Sequence, residues 1–226
     1  MLVTGFPQFP TQDDNGLGDG IDPTSQWQVV SSVTPDAPGH DFTSNDLDPA
    51  MVAMISRLRA IFSHQGETPL TSTDLHDLTL FVVHKLLLLP PFLPAVTPRT
   101  LISECLRSAI VLYMLIIHGT TYYSLQVIIT MVLYKLEANL KSLTLPERHE
   151  HRALRIWILM VAMTASPESP QYKAHMQQMR ILVEGMGLET WDGVLGELES
   201  VLWMRSPQDS LFRHTWEDIC SAVAPP

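Results

Sequence analysis

Nine histidines and two cysteines are the residues of this chain best suited to bind a metal or act as nucleophiles. The densest group is the run Glu147-Arg148-His149-Glu150-His151-Arg152. At the start of a helix His149 and His151 point about 200° apart, because each residue turns the helix by about 100°. They make a poor shared ligand pair, and Arg148 and Arg152 add positive charge beside them, so a solvated first turn is expected and no metal site. Arg148, Arg152 and Arg155 follow at helical spacing and read as a solvated face. His84 and His118 lie alone in apolar stretches and read as core histidines rather than ligands. Cys105 and Cys220 form no C-x-x-C pair, so neither a zinc framework nor a disulfide scaffold is suggested; both read as small core thiols of a reducing compartment. The glycines of "GLGDG" at 16–20 follow no strand and open no helix, so they make no phosphate loop. Nucleophile elbow and metalloprotease motifs are absent from the sequence. No catalytic, cofactor-binding or metal-binding residue is assigned, and a non-enzymatic protein is expected.

The charge pattern divides the chain. Residues 1–50 contain eight aspartates and no Glu, Lys or Arg, while residues 51–226 carry 16 acids against 14 bases. The excess of the net charge of −10 therefore sits at the N-terminus. Six prolines and five glycines in those first 50 residues leave little apolar surface to offset ordering entropy. Residues 1–47 are expected to form a disordered acidic tail, with Phe6, Phe9, Trp27 and Phe42 as scattered aromatics. The N-terminus has no basic and apolar runs of the secretory type.

From residue 48 to about 222 the apolar residues recur at helical spacing, and no stretch alternates long enough for a sheet. The expectation is an all-α domain, a compact bundle of about eight helices. Asp48-Pro49 opens the first, with Met51, Val52, Met54, Ile55, Leu58, Ile61 and Phe62 as its apolar stripe. Ser72 or Thr73 opens the second, which Pro90-Pro91 stops. Thr97-Pro98 opens the third, and Gly119 ends it. The fourth covers about 121–140. Thr144 and Glu147 have capping-box spacing before the fifth. Ser166-Pro167 opens the sixth, which ends at Gly185; Thr190 caps the seventh, and Ser206–Asp209 opens the eighth. Residues 108–134 contain no Asp, Glu, Lys or Arg, but "HGTTYYSLQ" splits them into two runs, each shorter than the roughly 20 apolar residues a spanning helix needs. Buried helices fit that stretch better than a membrane span. No basic stripe supports nucleic-acid binding.

Three tryptophans, Trp191, Trp203 and Trp216, stand near the C-terminus, and each reads as a separate wedge in one helical core. Together with two earlier blocks they carry a resemblance. "ECLRSAIVLYMLIIHG" at 104–119, "LRIWILMVAMTASPES" at 154–169 with Trp157, and a close containing Leu188, Trp191, Leu202, Trp203, Trp216 and Glu217 follow one another in an order similar to the regulatory domain of fungal-specific transcription factors. That region follows a zinc-cluster DNA-binding module. The resemblance covers about residues 75–220 and looks like the C-terminal portion of that domain. Where the family has Gly-Gly this chain has "VAMTA". Two cysteines cannot supply the six of the zinc cluster, so the chain lacks the DNA-binding module.

The resemblance implies a transcription-regulator-like protein of the nucleus, with a soluble cytoplasmic location as the alternative. It implies protein partners, homo- or heterodimers with related regulators, and no direct nucleic-acid or membrane contact. The competing readings are an inactive truncated product, suggested by the apolar run at 80–93, and a helical membrane protein.

Overall fold

The computed structural model describes residue 27 and residues 47–63, 70–89, 97–119, 126–143 and 149–221. These contain eight helices and no strand: α1 (Pro49–Ser63), α2 (Ser72–Leu88), α3 (Pro98–His118), α4 (Gln126–Ser142), α5 (His149–Ala165), α6 (Tyr172–Met186), α7 (Trp191–Val201) and α8 (Asp209–Ser221). The all-helical expectation holds.

Local chemistry explains most of the boundaries. At α1 the Asp48 carboxylate accepts from the Ala50 N–H at 2.8 Å, which satisfies one of the donors a helix start leaves open. The stripe Met51, Met54, Ile55, Leu58, Ile61 and Phe62 is buried, with Val52 half-buried beside it. The cap of α2 is Thr71, one residue earlier than expected, in a capping box with Asp74. Its end falls at Leu88, where Leu89 is extended as a residue before proline must be. Thr97 caps α3 in a box with Thr100, Pro98 takes the first helical position, and Gly119 closes the helix at φ 77°.

One start differs from expectation. Ser166-Pro167 does not open α6; it makes successive turns, with the Ser169 N–H bonding the Ser166 carbonyl and the Tyr172 N–H bonding the Ser169 carbonyl. The helix begins at Tyr172 and ends at Met186, where Gly187 in the left-handed region lets the Leu188 N–H reach back to the Val183 carbonyl. The Thr144–Glu147 box and the first residues expected of the fourth helix lie outside the described residues.

Two helices form the centre. Residues 108–117 of α3 and 156–163 of α5 are buried without interruption. Helices α2, α4 and α5 pack on α3, and α6, α7 and α8 pack on α5. Over Arg99–His118, α3 is long and apolar enough to cross a membrane, yet 78% of that window is buried inside the fold, which is consistent with a soluble helical protein. The apolar run at 80–93 is not an exposed patch over its described part: Phe81, Val82, Val83, His84 and Leu86 are buried, and Leu87, Leu88 and Leu89 are half-buried.

The tail also differs at two points. Trp27 is buried with its ring edge-on to Phe81 at 4.9 Å and the Arg57 guanidinium 5.3 Å from its centroid. Leu47 is buried as well. Both belong to the core rather than to a solvated leader; the other tail residues up to 46 lie outside the described set.

Gly119 and Gly196 should respond oppositely to alanine. At Gly119 a Cβ meets both a positive φ and the Gln208 Nε2 at 3.3 Å, so Gly119→Ala should destabilise by about 1–3 kcal/mol. Gly196 is exposed within α7 with open space around it, so Gly196→Ala should stabilise by about 0.5–1 kcal/mol. Denaturant melts of the two variants check the signs.

Candidate functional site

The last helical bond of α7 runs from the Leu202 N–H to the Leu198 carbonyl, and beyond it the chain crosses the interior through Met204. Val201, Leu202, Trp203 and Met204 are all buried, so their backbone polar groups need partners other than water. Three side chains from three other helices supply them. Arg59 of α1 donates from Nε to the Val201 carbonyl at 2.6 Å, and from its terminal nitrogen to the Ser200 carbonyl. Trp157 of α5 donates its indole N–H to the Leu202 carbonyl at 2.6 Å. The Tyr113 hydroxyl of α3 accepts from the Met204 N–H at 2.7 Å. Arg59 thus places a cation at the C-terminal, negative end of α7. Burial draws the Arg59 pKa below its usual value and pushes the Tyr113 hydroxyl well above its own, so the phenol stays neutral.

Rings close around this segment. Tyr113 lies 6.5 Å from Phe62, 5.5 Å from Trp157, 6.0 Å from Trp203 and 6.0 Å from Phe212. Trp203 meets Phe212 at 4.9 Å and Trp191 at 6.3 Å, both edge-on. The tryptophans are therefore not three separate wedges, because two of them touch. Trp157 and Leu202 are fully buried, Trp216 is buried on α8, and Leu188 and Trp191 are half-buried against the core. Glu217 is exposed, 3.9 Å from His214. Sequence reading missed Tyr113 and Arg59. Tyr113 lies inside the first resembling block, where an aromatic in an otherwise aliphatic helix was the available signal.

Histidines form the polar sites. His151 is buried, contrary to the expected solvated turn. His84 is fully buried, as expected of a core histidine. His118 is not alone: its Nε2 lies 2.9 Å from the Nδ1 of His76, and its Nδ1 lies 3.0 Å from the Gly119 carbonyl. Burial lowers its pKa, opposed by the Gly119 bond, and the charge of His76 lowers it further. On α6, His175 is buried 3.9 Å from Glu137 of α4, which also accepts from the Ser169 hydroxyl at 3.1 Å. Neither ring nitrogen of His175 has a hydrogen-bond partner among the described residues. The Ser169 hydroxyl bonds Glu137 directly and not His175, so these three residues are not arranged as a nucleophile with its base. Tyr172 donates to Asp218 at 3.0 Å, and burial together with that acceptor pushes the phenol up to about 12. Cys105 is buried and pushed up to about 12 by desolvation and by Glu104, which keeps it an unreactive thiol. Among the described residues no three His, Cys, Asp or Glu side chains group as metal ligands.

No protein-family model matches this chain, and neither the curated proteins nor the solved structures yield a match.

Two measurements test this site. Tyr113→Phe leaves the Met204 N–H buried and unpaired, so it should cost about 1–3 kcal/mol in a urea melt. For a domain of this size that is a fall in Tm of roughly 2–4 °C per kcal/mol. His175 is held below its usual pKa chiefly by burial, with Glu137 raising it and Lys141 lowering it. The unfolded chain then binds the extra proton first, so stability present above the unfolded histidine pKa falls as pH drops through it. His175→Met should therefore raise Tm more at pH 5 than at pH 7.5; an equal change at both would contradict this.

Proposed function

We propose that this chain is a non-enzymatic, transcription-regulator-like domain that works through protein–protein contact in the nucleus. The observation that carries the reading is the meeting of the three resembling blocks. Tyr113 of the first, Trp157 of the second, and Trp203 and Phe212 of the third share one aromatic cluster. Blocks that resemble one family in order and also pack on one another behave as a single inherited unit. These 226 residues hold two cysteines and no zinc-cluster array, so the reading rests on protein contact and not on DNA contact by these residues.

The contact surface in this reading is the outward face of α4. Val127, Met131 and Tyr134 are 62%, 37% and 75% exposed and follow one another at steps of four and three. Ala138 continues the series, exposed as well. That spacing is the seam of a helix pair, and the partner is a second copy of this domain offering the same helix. Lys135 and Lys141 are also exposed on α4, whereas its acid Glu137 turns inward to Ser169 and His175.

Sedimentation of the purified chain should show a dimer, and a fluorescent fusion should enter the nucleus. Tyr134→Asp should return the protein to a folded monomer whose Tm no longer depends on concentration, because that side chain is 75% exposed and contributes little to the core. A monomer at every concentration would remove the proposed surface. A fusion excluded from the nucleus would remove the regulatory reading.

A further inference from the structure

The pair His76–His118 joins the first turns of α2 to the last turn of α3. Its tautomers follow from its neighbours. A carbonyl only accepts, so the His118 Nδ1 carries the proton that it gives to Gly119. In the neutral ring the His118 Nε2 therefore bears a lone pair, and that lone pair faces the Nδ1 of His76 at 2.9 Å. A ring nitrogen fixed in this way by a backbone carbonyl is the arrangement that orients a histidine metal ligand.

We propose that His76 and His118 form a two-imidazole site for a divalent transition-metal ion of the zinc–copper class. The spacing suits one ion. With metal–nitrogen bonds of about 2.0–2.1 Å, two tetrahedral ligands stand about 3.3 Å apart and two at a right angle about 2.9 Å. The observed separation needs little or no opening for either geometry, and each ring has to turn so that its lone pair leaves the line between the two nitrogens and points to the ion beside it. The two ring planes lie at 42°, with centroids 5.0 Å apart. His76 must shift its proton from Nδ1 to Nε2 through solvent, which leaves both rings neutral and the proton count unchanged. Both residues are half-buried, so solvent reaches the pair and water completes the coordination. The Gln208 side chain approaches Gly119, whose carbonyl holds His118. The ion would staple α2 to α3 at the end of the helix that Gly119 terminates.

Isothermal titration of the full chain with zinc chloride, and separately with copper(II) chloride, tests the site. One ion should bind per chain at pH 7.5 and raise Tm. His76→Gln and His118→Gln should each abolish that event, while His214→Gln, at an exposed position beside Glu217 on α8, should keep it. Equal binding by wild type and both pair variants, or no binding by wild type, would overturn the proposal. Should either variant fail to fold, the copper-loaded wild type still decides: its electron paramagnetic resonance spectrum should show two imidazole nitrogens, and none or one would refute the pair.

Discussion

Four backbone groups between Ser200 and Met204, two of them in buried bonds and two in part-buried ones, are each bonded by a side chain from elsewhere in the sequence. Arg59 comes from α1, Tyr113 from α3 and Trp157 from α5. A buried peptide group left alone costs about as much as a lost hydrogen bond, so all three helices must be in place before α7 can end where it does. The exit of α7 fixes the entry to α8, which packs on α5 and sets Phe212 against Tyr113 and Trp203. The aromatic rings supply burial, but it is the directed bonds that set register. An aliphatic core of equal volume would allow residues 200–204 to slide.

This constraint also separates the parts of the molecule. The residues around Tyr113 are committed to holding the fold, so these rings are poor candidates for binding anything else. Surface chemistry is left to the outward face of α4 and to the histidines at the helix ends. His175 and the His76–His118 pair each lie where two helices meet near their termini, and burial keeps both His175 and His118 disposed to the neutral form.

Much of the fold was legible because helix starts are local chemistry. Asp48, Thr97 and Thr190 were readable as caps since a short oxygen side chain ahead of an apolar run has few other uses, and all three accept from the following turn. Ser166-Pro167 misled because serine and proline open turns as readily as helices, and nothing local decides between them. Trp27 was read as part of a solvated leader because its neighbours are acidic and breaking; its burial depends on Phe81 and Arg57, which only the packed helices bring to it. The same holds for Arg59 with Val201 and His76 with His118. Such pairs are set by which helices are neighbours, and hydrophobic periodicity carries no record of that.

Amide hydrogen exchange at Met204 tests the central claim most directly. That N–H lies outside any helix, and its one acceptor is the Tyr113 hydroxyl. If the crossing segment is pinned as described, the amide should exchange only through global unfolding, with protection equal to that of the innermost amides of α3 and α5. Exchange at the rate of an ordinary connecting loop would mean that residues 200–204 open locally while the helices stay folded, and that the three side-chain bonds do not organise the core.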